Sequence, residues 1–348
     1  MRQLDRKLVR DLWQMKGQSL AICLVIASGV ATFVMSLSTL GSLELSQETY
    51  YDRYRFANVF STVKRAPETQ RDRIAAIPGV ARLQTRIVQD VSIDVPGLAE
   101  PAIARLISVP DRGRPELNEL FLRNGRYLSP EPKGEILVNE AFAIVHSLQL
   151  GDTIPAILNG RRQNLTVVGV VLSPEYILTM HEGDPLPDQT RFGVFWMRER
   201  ELAAAFDMDG AFNNITLQLM RGASEAEVVQ RLDTLTEPYG GVGAYGRHDH
   251  LSHRFVTDEI RSLRGMGLIA PIIFLSVAAF LLNMVLARLI GTQREQIAAL
   301  KAFGYTHFDV GWHYLKFVLV IATGGMVAGT LLSVTTRGRE MTPGSGRR

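Results

Sequence analysis

Leu20-Ala-Ile-Cys-Leu-Val-Ile-Ala-Ser-Gly-Val-Ala-Thr-Phe-Val-Met-Ser-Leu-Ser-Thr-Leu40 is the stretch on which the fold class turns. No charged side chain occurs between Lys16 and Glu44. A helix of about 20 apolar residues spans the hydrocarbon core of a bilayer. One central Lys or Asp would cost about 2.5–3.5 kcal/mol on the insertion scale, and this segment avoids it. A secretory signal core is shorter, roughly 7–15 apolar residues, and no A-x-A-like site follows here. The competing reading is a helix buried in a large soluble core.

Two more uncharged runs follow. Residues 265–287 lie between Arg264 and Arg288, with Pro271 near one end. Residues 317–336 are less apolar and end in Ser333, Thr335 and Thr336. This last run carries Gly325-x-x-x-Gly329 beside Gly324, a spacing of small residues that lets membrane helices approach closely. Glycine is common in such helices, so the motif alone is weak. Arg2, Arg6, Lys7, Arg10 and Lys16 precede the first run, and Arg288, Arg294, Lys301 and Lys316 lie between the second and third. Short Lys/Arg-rich segments stay on the cytoplasmic side.

The expected plan is therefore a cytoplasmic interfacial helix at 1–17, transmembrane helices at 18–43, 265–288 and 317–336, an extracytoplasmic domain at 44–264, a cytoplasmic loop at 289–316 and a tail at 337–348. Leu4, Leu8 and Leu12 share one face of the first helix, as an interfacial helix requires.

Bulk composition decides less. The 348 residues are 46% hydrophobic with a net charge of +3, and no basic block points to nucleic acid. The single cysteine, Cys23, excludes an intrachain disulfide, and no Cys/His zinc spacing appears.

The large domain reads as α+β. Residues 58–64 and 214–220 look like strands, and 67–77 and 224–235 like amphipathic helices, the latter opened by a Ser224/Glu227 capping box. Residues 80–95 are extended. These two β-α units, one at each end, suggest a split α+β subdomain. Strands at 135–139, 153–158 and 164–172 would form an inserted, mainly β subdomain.

Three patterns mimic chemistry. Ser61-x-x-Lys64 has the form of a serine acyl-enzyme motif, but it falls within a strand and no partner motif exists. Gly241-x-Gly243-x-x-Gly246 follows no strand of a βαβ unit. Arg247-His-Asp-His250 with His253 reads as a solvated stalk rather than a metal cluster. With no P-loop either, no catalytic, cofactor or metal residues are expected.

The inner loop is more informative. Residues 292–303 carry polar groups on one side and Ile297, Leu300 and Phe303 on another; Gly304 suits a C-cap, and Thr306-x-x-Asp309 has capping-box spacing for the next helix. Physically, this is either a docking helix or one lying on the bilayer. The run Thr292-Gln-Arg-Glu-Gln-Ile-Ala-Ala-Leu-Lys-Ala-Phe-Gly304 resembles the inner loop of FtsX-like (MacB-type) ABC-transporter permeases, and the order of spans and domain is similar too. Ile77-Pro-Gly-Val80, Gly134-Glu-Ile-Leu-Val138, Leu150-Gly-Asp-Thr-Ile154 and Leu165-Thr-Val-Val-Gly-Val-Val171 resemble that family's periplasmic core domain.

The resemblance implies a bacterial inner-membrane permease without enzymatic activity of its own. A separate cytoplasmic ABC ATPase would dock on the loop and move the outer domain. Arg294, Glu295 and Lys301 would make polar contacts, Ile297, Leu300 and Phe303 would fill a groove on the ATPase, and Gly304 would end the helix. Other implied partners are a second permease copy or half, a periplasmic adaptor and membrane lipid. Such permeases have a fourth span; here the basic tail 337–348 takes its place, so a truncated half is expected, lacking the span that would pack on Gly325 and Gly329. The alternative is a membrane-anchored extracytoplasmic sensor or scaffold.

Overall fold

The structure, a computed structural model, describes residues 3–340 apart from 96, 99, 132, 133 and 182–185. It opens with α1 (Gln3–Gln14), α2 (Lys16–Arg53), β1 (Val59–Pro67), α3 (Arg71–Ala75), β2 (Val80–Arg86), β3 (Val88–Ile93) and β4 (Ala102–Val109). There follow β5 (Phe121–Gly125), β6 (Glu135–Asn139), α4 (Glu140–Val145), β7 (Thr153–Leu158), β8 (Arg161–Leu172), β9 (Phe192–Arg198) and α5 (Glu199–Phe206). The rest comprises β10 (Ala211–Leu219), α6 (Glu225–Thr236), β11 (Tyr245–Gly246), α7 (Leu251–Thr292), α8 (Arg294–Ala302) and α9 (His307–Glu340). Of the tail expected at 337–348, residues up to Glu340 continue α9 and 341–348 lie outside the described residues. Two compact units result: residues 1–45 with 259–348, and residues 46–258.

In the first unit, α2, α7 and α9 are long and apolar enough to cross a membrane. Leu20, Leu24, Ile272, Phe280, Val327 and Leu331 are exposed on them. That much outward apolar surface calls for hydrocarbon rather than water around it. Their shared core is Ile22, Ile26, Ala278, Val285, Phe317 and Ile321, and Leu8 and Leu12 of α1 pack against it. The apolar face of α1 thus rests on the bundle, while Trp13 points outward.

Small residues bring α2 close to both of its neighbours. A Cβ added at Gly29 would stand 3.0 Å from Cβ of Phe274 on α7. One at Gly325 would stand 2.7 Å from Cβ of Ile26, and one at Gly329 2.5 Å from the Ala27 carbonyl oxygen. The Gly325-x-x-x-Gly329 face is therefore occupied by α2. The expected occupant is a later span; any helix that meets the groove in register can fill it, and α2 does.

The second unit contains two sheets. One is antiparallel with order β11-β1-β10-β2, so strands from both ends of the segment lie side by side. Ile74 of α3 and Val228 and Leu232 of α6 cover it, packing on Val59, Val63, Ile215 and Leu217. Ser224 caps α6 by accepting a hydrogen bond from the Glu227 amide. This is the split α+β subdomain. The second sheet, inserted between β2 and β10, runs β5-β8-β6-β9-β4-β3-β7, and an additional β7–β8 pairing closes it on itself. Closure leaves few open edges to aggregate.

Residues 80–95 are not one extended piece. The chain changes sheet at Ile87, whose amide bonds the Ser108 hydroxyl, and the Asn213 side chain brackets Val88 at both its amide and its carbonyl. These side chains satisfy backbone groups that the break removes from either ladder.

The packing of α2 on α9 has a direct consequence. A Cβ at Gly324 would lie 3.6 Å from the Cys23 sulfur, whereas one at Gly311 meets nothing within 4 Å. Oxidation should cross-link Gly324→Cys to Cys23 and leave Gly311→Cys open, as judged by intact and tryptic mass spectrometry. Equal, negligible cross-linking of both variants would mean that α2 and α9 do not pack here.

Candidate functional site

The loop between α7 and α9 is shaped by its two ends. Gly304 takes φ +90, in the left-handed region where a Cβ is strained. Its amide bonds the Lys301 carbonyl at 3.0 Å and the Tyr305 amide bonds that of Leu300 at 3.2 Å, closing α8. Immediately afterwards the Asp309 amide donates to Thr306 Oγ1 at 3.2 Å, while the Thr306 amide donates to Asp309 Oδ2 at 3.0 Å. That reciprocal cap starts α9. The chain thus stops α8 and starts α9 within a few residues, while the start of α8 at Gln293 has no side-chain cap of its own.

Its faces differ. Arg294, Glu295 and Lys301 are exposed, and Ile297 and Leu300 are half-buried. Phe303 is 83% exposed, and Phe308, 78% exposed, stacks on Trp312 with ring planes 7° apart. A protruding apolar group rimmed by charges suits a partner's groove. Gly325 and Gly329 belong elsewhere, in the seam between α9 and α2.

Within the second unit the three chemistry-like patterns dissolve. Ser61 is fully buried in β1 while Lys64 is exposed, so the two cannot act together. Gly246 pairs with Val59 as an edge strand. The stretch expected to be a solvated stalk is solvated at His248 and Asp249 but packed at His250. Arg247 Nε donates to the Ala57 carbonyl at 2.8 Å, and His250, 8% exposed, sits among the rings of Phe56, Phe60 and Tyr245. Its burial arises from contacts across about 190 residues of chain, which local pattern cannot display. Among the described residues no group of three or more His, Cys, Asp or Glu side chains is placed to hold a metal.

Beside His250, Arg86 and Glu175 form a two-pronged buried ion pair at 2.6 and 2.7 Å, and Asn118 donates to the same carboxylate. Burial alone would raise the Glu175 pKa, but the Arg86 guanidinium holds it below the usual carboxylate range. The pair ties β2 of one sheet to the loop after β8 of the other. A cleft of about 590 Å³ opens here, lined by Asp90, Arg105, Glu175 and His250 among others. Asp90 pairs with Arg105 as Glu175 does with Arg86.

Residues 268–338, comprising most of α7, all of α8 and nearly all of α9, match the family described as FtsX-like permease C-terminal. That segment, about a fifth of the chain, is FtsX-like. No curated protein matches it. The extracellular domain of the ABC-type transporter YknZ from Gram-positive bacteria is similar at 13% identity and TM-score 0.33, over 55% of this chain and 98% of that one. The periplasmic region of MacB from Actinobacillus actinomycetemcomitans is similar at 12% identity and TM-score 0.34, over 60% and 95%. A permease domain from Porphyromonas gingivalis gives 11% and 0.32, over 55% and 90%.

Burial pushes the His250 pKa down to about 4, and the nearby Glu175 offsets only part of that. The unfolded chain takes up this proton near pH 6.5, the folded one only near 4. Stability from neutral His250 is therefore complete above pH 6.5 and drains away as pH falls towards 4, by on the order of 3 kcal/mol. The thermal midpoint of the purified protein should drop over that interval, and His250→Gln should flatten the drop. Identical pH profiles for the two proteins would contradict the assignment.

Proposed function

We propose that this chain is the permease subunit of an ABC transporter in a bacterial cytoplasmic membrane, with α8 as the docking helix for a separate cytoplasmic ATPase. The observation that carries this reading is a short helix, capped at Gly304, that presents Phe303 at the basic end of the bundle. Lys7 of α1 hydrogen-bonds Gln293 at 2.6 Å, so the two Lys/Arg-rich segments lie at one end of the membrane unit. Positive charge gathered there marks the cytoplasmic side. The unit formed by residues 46–258 then stands on the extracytoplasmic side.

In this reading the chain hydrolyses nothing itself. Closure of the ATPases pushes on α8, and α7 and α2, which carry residues of both units, convey the motion outward. Arg294, Glu295 and Lys301 meet polar groups of the ATPase, and Phe303 enters its groove with Ile297 and Leu300 at the rim. A second permease copy or half completes the assembly, with lipid around the exposed apolar faces and a periplasmic adaptor as a further partner.

Phe303→Asp tests the docking surface without disturbing a core. A carboxylate desolvated in the groove costs several kcal/mol if unpaired, weakening the complex about 100-fold or more. Affinity capture from native membranes should recover a Walker-motif ATPase with the parent and lose it with Phe303→Asp, at equal permease yield. Undiminished recovery with the variant would refute the surface.

A further inference from the structure

One side-chain amide at the basic end of the membrane unit joins three helices. Gln293 is the single residue separating α7 from α8. Lys7 of α1 donates to its Oε1 at 2.6 Å, and the Tyr314 hydroxyl of α9 donates to the same oxygen at 3.0 Å. Gln293 Nε2 in turn donates to Asp11 Oδ2 at 3.2 Å, and Lys7 Nζ lies 3.5 Å from that carboxylate oxygen. Asp11, Gln293 and Tyr314 are all buried, with Asp11 only 4% exposed.

A helix that simply floated on the bilayer would turn Lys7 and Asp11 to water, where long cationic side chains prefer to send their heads. Here both point inward. Burying a carboxylate is costly unless it is paired and hydrogen-bonded, as Asp11 is here. The location sharpens this. The ladder passes through Gln293, whose amide bonds the Leu289 carbonyl while its own carbonyl accepts from Ile297. Its backbone nevertheless leaves helical geometry, with φ −102 and ψ 18. That makes residue 293 the natural pivot for α8, and the network holds the pivot by its side chain.

We propose that Lys7, Asp11, Gln293 and Tyr314 form a lock that makes α1 part of the coupling device, fixing the angle of α8 so that a push on it moves α1, α7 and α9 as one body. This rests on the reading of α8 as the ATPase-docking helix. The four are positioning residues; none touches the ATPase.

The pattern of donors and acceptors supplies a swap test. In Gln293→Glu, two carboxylates share Lys7 and repel. In Asp11→Asn/Gln293→Glu, the new carboxylate accepts from Lys7, Tyr314 and the side-chain amide introduced at position 11, so every bond and the net charge return. In a Cys23→Ser background, spin labels at Val9→Cys and Gln296→Cys report the α1–α8 distance in the full-length protein. The distribution should be narrow in the parent, broad in Gln293→Glu and narrow again in the swap. Equal widths in all three, or a swap as broad as the single variant, would overturn the lock. In complexes captured with the native ATPase, Gln293→Glu should retain the ATPase but lose about tenfold in ATP hydrolysis, the scale of one charged hydrogen bond, and the swap should recover it. Hydrolysis equal to the parent in Gln293→Glu would deny the coupling role. Failure of the parent to capture any ATPase would refute the docking reading, while the distance measurement still decides the lock.

Discussion

In hydrocarbon a central charge costs about 2.5–3.5 kcal/mol, and each unsatisfied backbone group costs several more. Three stretches of this chain answer both demands by being helical and free of charge. These stretches fall within α2, α7 and α9, and charged residues flank them. The basic loops gather at one end, and with them α1 and α8. The seams between spans then rely on glycine. Gly29 meets α7, and Gly325 and Gly329 meet α2. Without a hydrophobic force between helices in lipid, such close backbone approach is the main source of association.

The unit of residues 46–258 solves a different problem, that of holding two sheets together without disulfides. It uses a buried, fully hydrogen-bonded Arg86–Glu175 pair, with Asn118 completing the carboxylate. Replacing such a pair by apolar groups is often neutral, whereas removing one partner costs about 3–5 kcal/mol. The pair bridges the two sheets, and breaking it would leave a charge unpaired between them. The aromatic nest of Phe56, Phe60, Tyr245 and His250 lies against the same junction.

Features governed by local pattern could be read from the sequence: the three spans, the caps of α8 and α9, the Ser224 cap and the strands flanking the insertion. What escaped was long-range. β4 and β9 are almost entirely buried, so Phe192–Arg198 lacks the alternation that marks a half-exposed strand. His250 looked solvated because nothing near it in the chain announces Phe56 and Phe60. Asp11 looked like one more charge on a basic helix, since only the packing of α1 brings it beside Gln293, 282 residues away. The inner helix itself was visible, but the sequence treated Ile297, Leu300 and Phe303 alike. The structure separates them, half-covering the first two and leaving Phe303 protruding.

Everything proposed for α8 requires its end of the bundle to face the cytoplasm. Val242 and Gln296 are both exposed, one in each unit. In a Cys23→Ser background, Val242→Cys should react with a membrane-impermeant thiol reagent in intact spheroplasts, and Gln296→Cys should react only after the membrane is opened. Labelling of Gln296→Cys in intact spheroplasts, with Val242→Cys protected, would contradict the account.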